Sequence, residues 1–381
     1  MSKKSVLTSF SMILVLGFIS LGVIGGCKNG GSSNGDLGDE PQNVTMLTFI
    51  NRCEFPIWLG GVSGMTQEGS LTCSAAEDPE SFVKLDEFDP GMSPSMQTVD
   101  VKVGSTSCAW WPRTKCDKDE TGKFFCETGD CGGETECNPV GSQANNIWQG
   151  PGCVGAGCGV FTATKIELTT GTAGDEFFSN YDVSVEQGAF NVPVLITPTD
   201  PEGSNCTAGK GDKMITDGNA GCYEECGGIS TLEIASWCPP PPTDDVRKTN
   251  SNGEGTGLQA VSKGDVVACF DECSEFILAK GPIGGNNPNI DSQKICCKGQ
   301  FNTPDSCPKP DTWPDLGEEQ NEIWNDYTKT FLKFCPRQYA WAFDDSLGLP
   351  VDFSCTSKNQ EPVHLDITFC GFLPGKCADD L

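Results

Sequence analysis

One histidine, His364, serves the whole 381-residue chain, against 23 cysteines and 53 acidic residues. A structural zinc site usually joins closely paired cysteines to histidine, and a serine hydrolase needs an imidazole between nucleophile and acid. His364 lies in VHLDITF, whose alternation marks a strand, so it reads as a solvent-side residue and not as a base. Positive charge is scarce too: 25 Lys and Arg leave a formal net charge of −28. Such a surface repels nucleic acid and anionic headgroups, so nucleic acid is not an expected partner. No glycine-rich loop cradling phosphate precedes a helix, and GPIGGNNPN (281–289) reads as a turn-rich loop. EF-hand spacing is missing as well, so neither metal nor cofactor is called for.

The apolar run Val6–Ile24 follows Lys3 and Lys4 and ends at Ile24-Gly25-Gly26-Cys27. It is short for a spanning helix with flanks of its own and reads as an export signal. The junction resembles the lipobox of bacterial lipoproteins, which implies an acylated Cys27 as the first mature residue; an ordinary secretory signal or an uncleaved anchor are the alternatives. Lys28 in place of an aspartate points to outer-membrane sorting. Residues 28–43, KNGGSSNGDLGDEPQN, are too polar and glycine-rich to bury anything and read as a tether. With Cys27 set aside, 22 cysteines form an even set in an oxidising compartment, enough for eleven bridges. Removal of the signal's two lysines takes the mature charge to about −30. So much acid is either a solubility device or, in part, the lining of a site for a neutral polyol or a cation.

Short segments such as TMLTFIN, TATKIEL, YDVSV and LDITF are β-branched or aromatic, often alternate in polarity, and are parted by Gly, Pro and Asn clusters. They predict an antiparallel β-sandwich. One main helix is expected over residues 321–334, with Ile323, Trp324, Tyr327, Phe331 and Phe334 at helical spacing and Pro336 beyond its end. Between Cys206 and Cys335 the chain is dominated by Pro, Gly, Asn and Cys, so regular structure should be sparse and insertions should lie in surface loops.

CETGDCGGETEC (126–137) separates its cysteines by four and five residues, which suits neither zinc nor a Cys-x-x-Cys redox pair and leaves disulfides. Extended back to Gly122, the sixteen-residue run resembles the motif G-x-[GF]-x-C-x-T-G-D-C-x-G-x(3)-C of thaumatin-like proteins at every position. FINRCEFPIWLGG (49–61), WWPRTKC (110–116), TKIELTT (164–170), YDVSVEQGAFNVPVLITP (181–198), FLKFCPRQYAWAFDDS (331–346) and DITFCG (366–371) resemble further segments of that family in its order. The similarity spans about Thr48 to Gly371.

The resemblance implies a thaumatin-like sandwich with a cysteine-rich second lobe of loops. The expected division is a signal over 1–26, a tether over 27–45 and the domain over 46–381, with the sandwich at about 46–205 and 336–371 and the lobe at about 206–335. It also implies Cys53–Cys370, Cys116–Cys126, Cys131–Cys137, Cys206–Cys355, Cys238–Cys269, Cys273–Cys296 and Cys297–Cys307, with Cys335 taking Cys222 or Cys226. Cys73 with Cys108 and Cys153 with Cys158 are guesses for the surplus, and Cys377 is unassigned.

Many thaumatin-like proteins have an acidic cleft associated with binding or slow cleavage of β-1,3-glucan. Carried over by position, its acids fall on Glu167, Asp182 and Asp344, with Asp345 beside the last. Its arginine falls on Ala109 and its middle aspartate near Gln187, so nearby carboxylates should drift upward in pKa through mutual repulsion. Glycoside hydrolysis needs a protonated and an ionised carboxyl, for which Glu167 as acid and Asp182 as base are the candidates. Solvated strand carboxylates are the plainer alternative. Phe190 and Tyr339 are candidate aromatic faces for a sugar, or else core residues. The expected function is binding of β-1,3-glucan or a related polysaccharide in an acidic cleft by an exported, lipid-anchored monomer. Weak endo-β-1,3-glucanase activity and a loop-bearing scaffold for a protein ligand are the alternatives.

Overall fold

The alternation read in residues 45–51 becomes β1 (Val44–Asn51), with Thr45, Leu47, Phe49 and Asn51 turned inward and Met46 outward. A strand of period two with one apolar face must cover that face, and a second sheet does so here. The computed structural model describes residues 44–62, 65–66, 84–130, 163–174, 176–200, 203–224, 234–238, 258–274, 290–308, 327–357 and 361–374. The expected signal, the lipidated Cys27, most of the tether, and Cys73, Cys131, Cys137, Cys153, Cys158, Cys226 and Cys377 lie outside them.

The smaller sheet runs in the order β12 (Val194–Pro198), β17 (Leu365–Phe369), β1 and β5 (Ser95–Lys102). The larger runs β13 (Ser204–Ala208), β16 (Phe353–Ser357), β10 (Glu176–Ser184), β9 (Lys165–Ala173), β7 (Cys108–Lys118), β2 (Ile57–Val62) and β4 (Lys84–Leu85), with β8 (Phe124–Thr128) on β7. β3 (Met65–Thr66) pairs with β6 (Ser105–Thr106). The chain is mainly β, and among the described strand pairs one departs from the antiparallel expectation. β1 and β17 run parallel, Leu47 opposite Leu365, because they are joined by almost the whole domain and not by a hairpin.

Between the two sheets lies a first core that includes Leu47, Phe49, Leu59, Trp110, Ile166, Tyr181, Val183, Phe353, Ile367 and Phe369. Each such side chain contributes roughly 1.5–3 kcal/mol when taken out of water. A second core gathers Phe190, Ile234, Leu258, Ala268, Tyr327, Phe331 and Trp341 among eight half-cystines of the bridges below. It draws on Val185–Phe190 and on Ala340 and Trp341 as well as on the interval 206–335. Its regular elements are short: β11 (Ala189–Phe190), β15 (Asp265–Phe270), β14 (Gln259–Ser262), α1 (Ile234–Trp237) and α2 (Ile290–Ile295). Residues 327–334 are helical and end before Pro336; Tyr327 and Phe331 are buried in the core, while residues 321–326 lie outside the described part.

Seven bridges are described: Cys53–Cys370, Cys116–Cys126, Cys206–Cys355, Cys222–Cys335, Cys238–Cys269, Cys273–Cys296 and Cys297–Cys307. Six match the pairing implied by the resemblance, and the seventh resolves the choice for Cys335 in favour of Cys222. Cys108 is disulfide-bonded as well.

Candidate functional site

β10 alternates through its middle, from Ser179 to Val183. Ser179, Tyr181 and Val183 turn into the sandwich, where the Tyr181 ring stacks on Phe353 at 5.5 Å and its hydroxyl donates to Gly218 O at 2.5 Å. That anchor forces Asn180, Asp182 and Ser184 onto the opposite face of the sheet. β9 faces them in register: Glu167 stands opposite Asp182, Lys165 opposite Ser184 and Thr169 opposite Asn180. Directly opposed residues of an antiparallel pair have Cβ atoms about 5 Å apart, so the two acids expected from the sequence are immediate neighbours.

The turn after β10 brings the closing segment alongside. Tyr339 N–H donates to Val183 O at 2.9 Å, and Val185 N–H donates to Tyr339 O at 3.0 Å. Gln187, in left-handed backbone at φ 52°, donates its N–H to Asp271 Oδ2 at 2.8 Å and its side-chain amide to Glu186. Asp271 Oδ1 accepts the Ser274 N–H at 2.8 Å.

Two of the acids differ sharply in surroundings. Glu167 Oε1 lies 3.3 Å from Lys165 Nζ, with the lysine side chain 3% exposed and the glutamate 26%. Burial alone would push the ammonium toward neutrality, but Glu167, Glu186 and Asp182 outweigh it and raise the Lys165 pKa. The Asp182 carboxyl is driven well above the usual range, first by burial, then by the charges of Glu167, Asp352 and Glu186, with Lys165 opposing. Its Oδ1 is buried with no hydrogen-bond partner among the described residues, as is Asn180 Oδ1 two residues earlier on the same face. The upward drift expected from repulsion is therefore present at Asp182, with desolvation as its larger cause.

Tyr339 is part-buried, and its phenol is held neutral by burial and by Asp182, Asp352, Asp345 and Asp344. It stands beside the acid pair as a potential donor. Asp344, by contrast, is 1% exposed, and its Oδ2 accepts the N–H groups of Ala340 and Trp341 at 2.8 and 2.9 Å. It closes its own turn, and burial pushes its pKa to about 7. Asp345 is part-buried and acts electrostatically on Tyr339 and Asp352. Phe190 does not offer a face to a ligand. It is fully buried, edge-on to Trp237 at 5.5 Å and Phe331 at 5.9 Å, so the second core takes its ring.

The sequence comparison left the acids without a cation at Ala109. Ala109 indeed stands opposite Glu167 on β7 and is fully buried. The compensating charge comes from Lys165, two residues before Glu167 and therefore on the same face. Glu186, next to the altered Gln187, supplies a negative charge felt by Lys165, Asp182, Asp271 and Asp344. The Lys-x-Glu spacing was a readable signal; nothing local marked Asp271 or Asp352. A cavity of about 540 Å³ lies elsewhere, lined by Phe55, Trp58, Lys115, Asn191, Asp265 and Val266 among others, and neither Glu167 nor Asp182 borders it.

The profile of the thaumatin family matches residues 51–371. The chain belongs to the thaumatin family. Among curated members it is 27% identical to thaumatin-like protein 1 of Prunus persica over 330 residues, covering 86% of this chain and 91% of that one. It is 27% identical to pathogenesis-related protein 5 of Arabidopsis thaliana, over 86% and 90% of the two chains. It is also 26% identical to a Prunus avium member named glucan endo-1,3-beta-glucosidase, over 86% and 91%. A solved thaumatin-like structure, that of the xylanase inhibitor TLXI, aligns over 42% of this chain and 78% of its own at 25% identity, with a TM-score of 0.25. Among the described residues no helix is long and apolar enough to cross a membrane, and no cluster of acids, cysteines and histidine could hold a metal ion.

Proposed function

We propose that this thaumatin-family chain binds a neutral polysaccharide of the β-1,3-glucan type at the Glu167–Asp182 pair, with Tyr339 and Asp345 at its border. The observation that carries the reading is the facing of one carboxylate paired with a buried ammonium against one carboxyl driven toward its protonated form. A sugar hydroxyl both donates and accepts, so an acceptor beside a donor suits it better than two like charges would. The name of the Prunus avium relative supports the choice of glucan. Retention of the mature chain on insoluble β-1,3-glucan tests it: wild type should be retained, Glu167→Gln and Asp182→Ala should wash through, and unretained wild type refutes the reading.

Slow hydrolysis is a second reading, favoured by the same asymmetry. Asp182 is then the proton donor and Glu167 the ionised partner, the reverse of the assignment expected from sequence. Reducing ends released from laminarin should disappear in Asp182→Asn; release unchanged in that variant removes Asp182 from the chemistry. We also propose that the chain is exported and lipid-anchored through Cys27. Described bridges suit an oxidising compartment, and the leader supports export. Labelled fatty acid should enter the wild type and not Cys27→Ala; equal labelling refutes the anchor.

A further inference from the structure

Resting on the glucan-binding reading, we propose that Lys165 is the positioning residue of this site. It holds the Glu167 carboxylate in one orientation, so that Glu167 and Asp182 present an ordered acceptor and donor to the hydroxyls of a neutral sugar.

Lys165 is placed for this by both sheet register and burial. It begins β9, opposite Ser184, and shares a face with Glu167 because residues two apart on a strand point the same way. The lysine side chain is 3% exposed, and a Cβ built on Gly188 would meet its Cε at 3.6 Å, so the turn after β10 passes close beside the lysine stem. The ammonium thus has little room to wander, and a buried cation that loses its counter-charge is strongly unfavourable. Three acids face it: Glu167 on its own strand, Asp182 on β10 and Glu186 in the turn. Asp182 in turn feels Glu167, Glu186 and Asp352, just before β16, with Lys165 as the opposing cation. Only the ion pair with Glu167 gives the arrangement a direction. The Ala109 side of Glu167 offers a methyl group, and among the described residues the cation paired with Glu167 is Lys165.

The experiment combines carboxyl and amine titrations followed by NMR with the affinity for laminarihexaose, in wild type, Lys165→Met, Lys165→Arg and Glu167→Gln. In Lys165→Met the Asp182 midpoint should rise by about one pH unit, since a favourable opposite charge has gone. Laminarihexaose affinity should fall about tenfold at pH 6, and Lys165→Arg should recover most of it. In Glu167→Gln the Lys165 midpoint should fall by about one unit, an arm that does not require Lys165→Met to fold. Midpoints that stay fixed in both variants overturn the proposal. Shifted midpoints with unchanged affinity in Lys165→Met also overturn it, because the lysine then positions nothing that the sugar reads. If wild type itself fails to bind while the midpoints move as expected, the glucan reading falls and the charge-ordering role of Lys165 stands.

Discussion

The sandwich and the looped lobe solve the same problem differently. In the sandwich, long registers such as the eight pairs between β1 and β5 hold the backbone, and two of its bridges join positions far apart in sequence, 317 residues for Cys53–Cys370 and 149 for Cys206–Cys355. In the lobe the strands are short, and three bridges close loops of 31, 23 and 10 residues around an aromatic cluster of Phe190, Trp237, Tyr327 and Phe331. Ladders make one region rigid, while sulfur and ring packing do so in the other. The difference matters for the site, because the sheet supplies its floor and the lobe and closing segment supply the buried acids around it.

The two cores should respond differently to the loss of one buried ring each. Phe49→Ala and Phe331→Ala should each cost about 3–5 kcal/mol, but hydrogen exchange should show global loss of protection in the first and loss confined to the lobe in the second. Uniform loss in both would mean that the two cores unfold as one. Replacing Cys238 and Cys269 together by alanine comes next, at about 3.7 kcal/mol for a loop of this length. Denaturant titration checks it, and a cost near zero would show that the aromatic cluster holds the lobe unaided.

Acidity separates the regions further. Asp271 and Asp344 have pKa values of about 7 in the folded chain, raised by burial, against about 3.9 when unfolded. Between those limits the folded chain binds more protons, so their stabilisation is full below about pH 4 and is lost as pH rises through about 7. The slope is at most about 1.4 kcal/mol per pH unit for each group. Urea midpoints should therefore be higher at pH 5 than at pH 8, with the difference reduced in Asp271→Asn and Asp344→Asn; the opposite trend would contradict the burial argument.

The smallest effect lies on the sandwich side. His364 Nδ1 accepts the Met46 N–H at 3.0 Å, and burial lowers its pKa. Its contribution is present above its unfolded value of about 6.5 and is lost as pH falls through the lower folded value. It opposes the acids. His364→Ala should cost about 1 kcal/mol or less, and amide exchange at the start of β1 should show the loosening.

Much of this was readable locally. The alternation of TMLTFIN and LDITF predicted the strands now seen as β1 and β17, and the cysteine motif carried the family, with six described bridges following from it. Their parallel pairing was not readable, since neighbouring strands from opposite ends of a chain leave no turn signal between them. Phe190 looked like a candidate sugar face because sequence reveals an aromatic but not what covers it.

Strand period was set by residue order, because side-chain direction in a strand repeats every two residues whatever surrounds it, and the cysteine spacing carried the resemblance that implied six of the described bridges. Which acid lost its solvent and which ring vanished into the lobe were decided by tertiary packing. Desolvation and charge coupling depend on groups brought close in space, such as Glu186 and Asp352 around Asp182, and no local pattern encodes that distance.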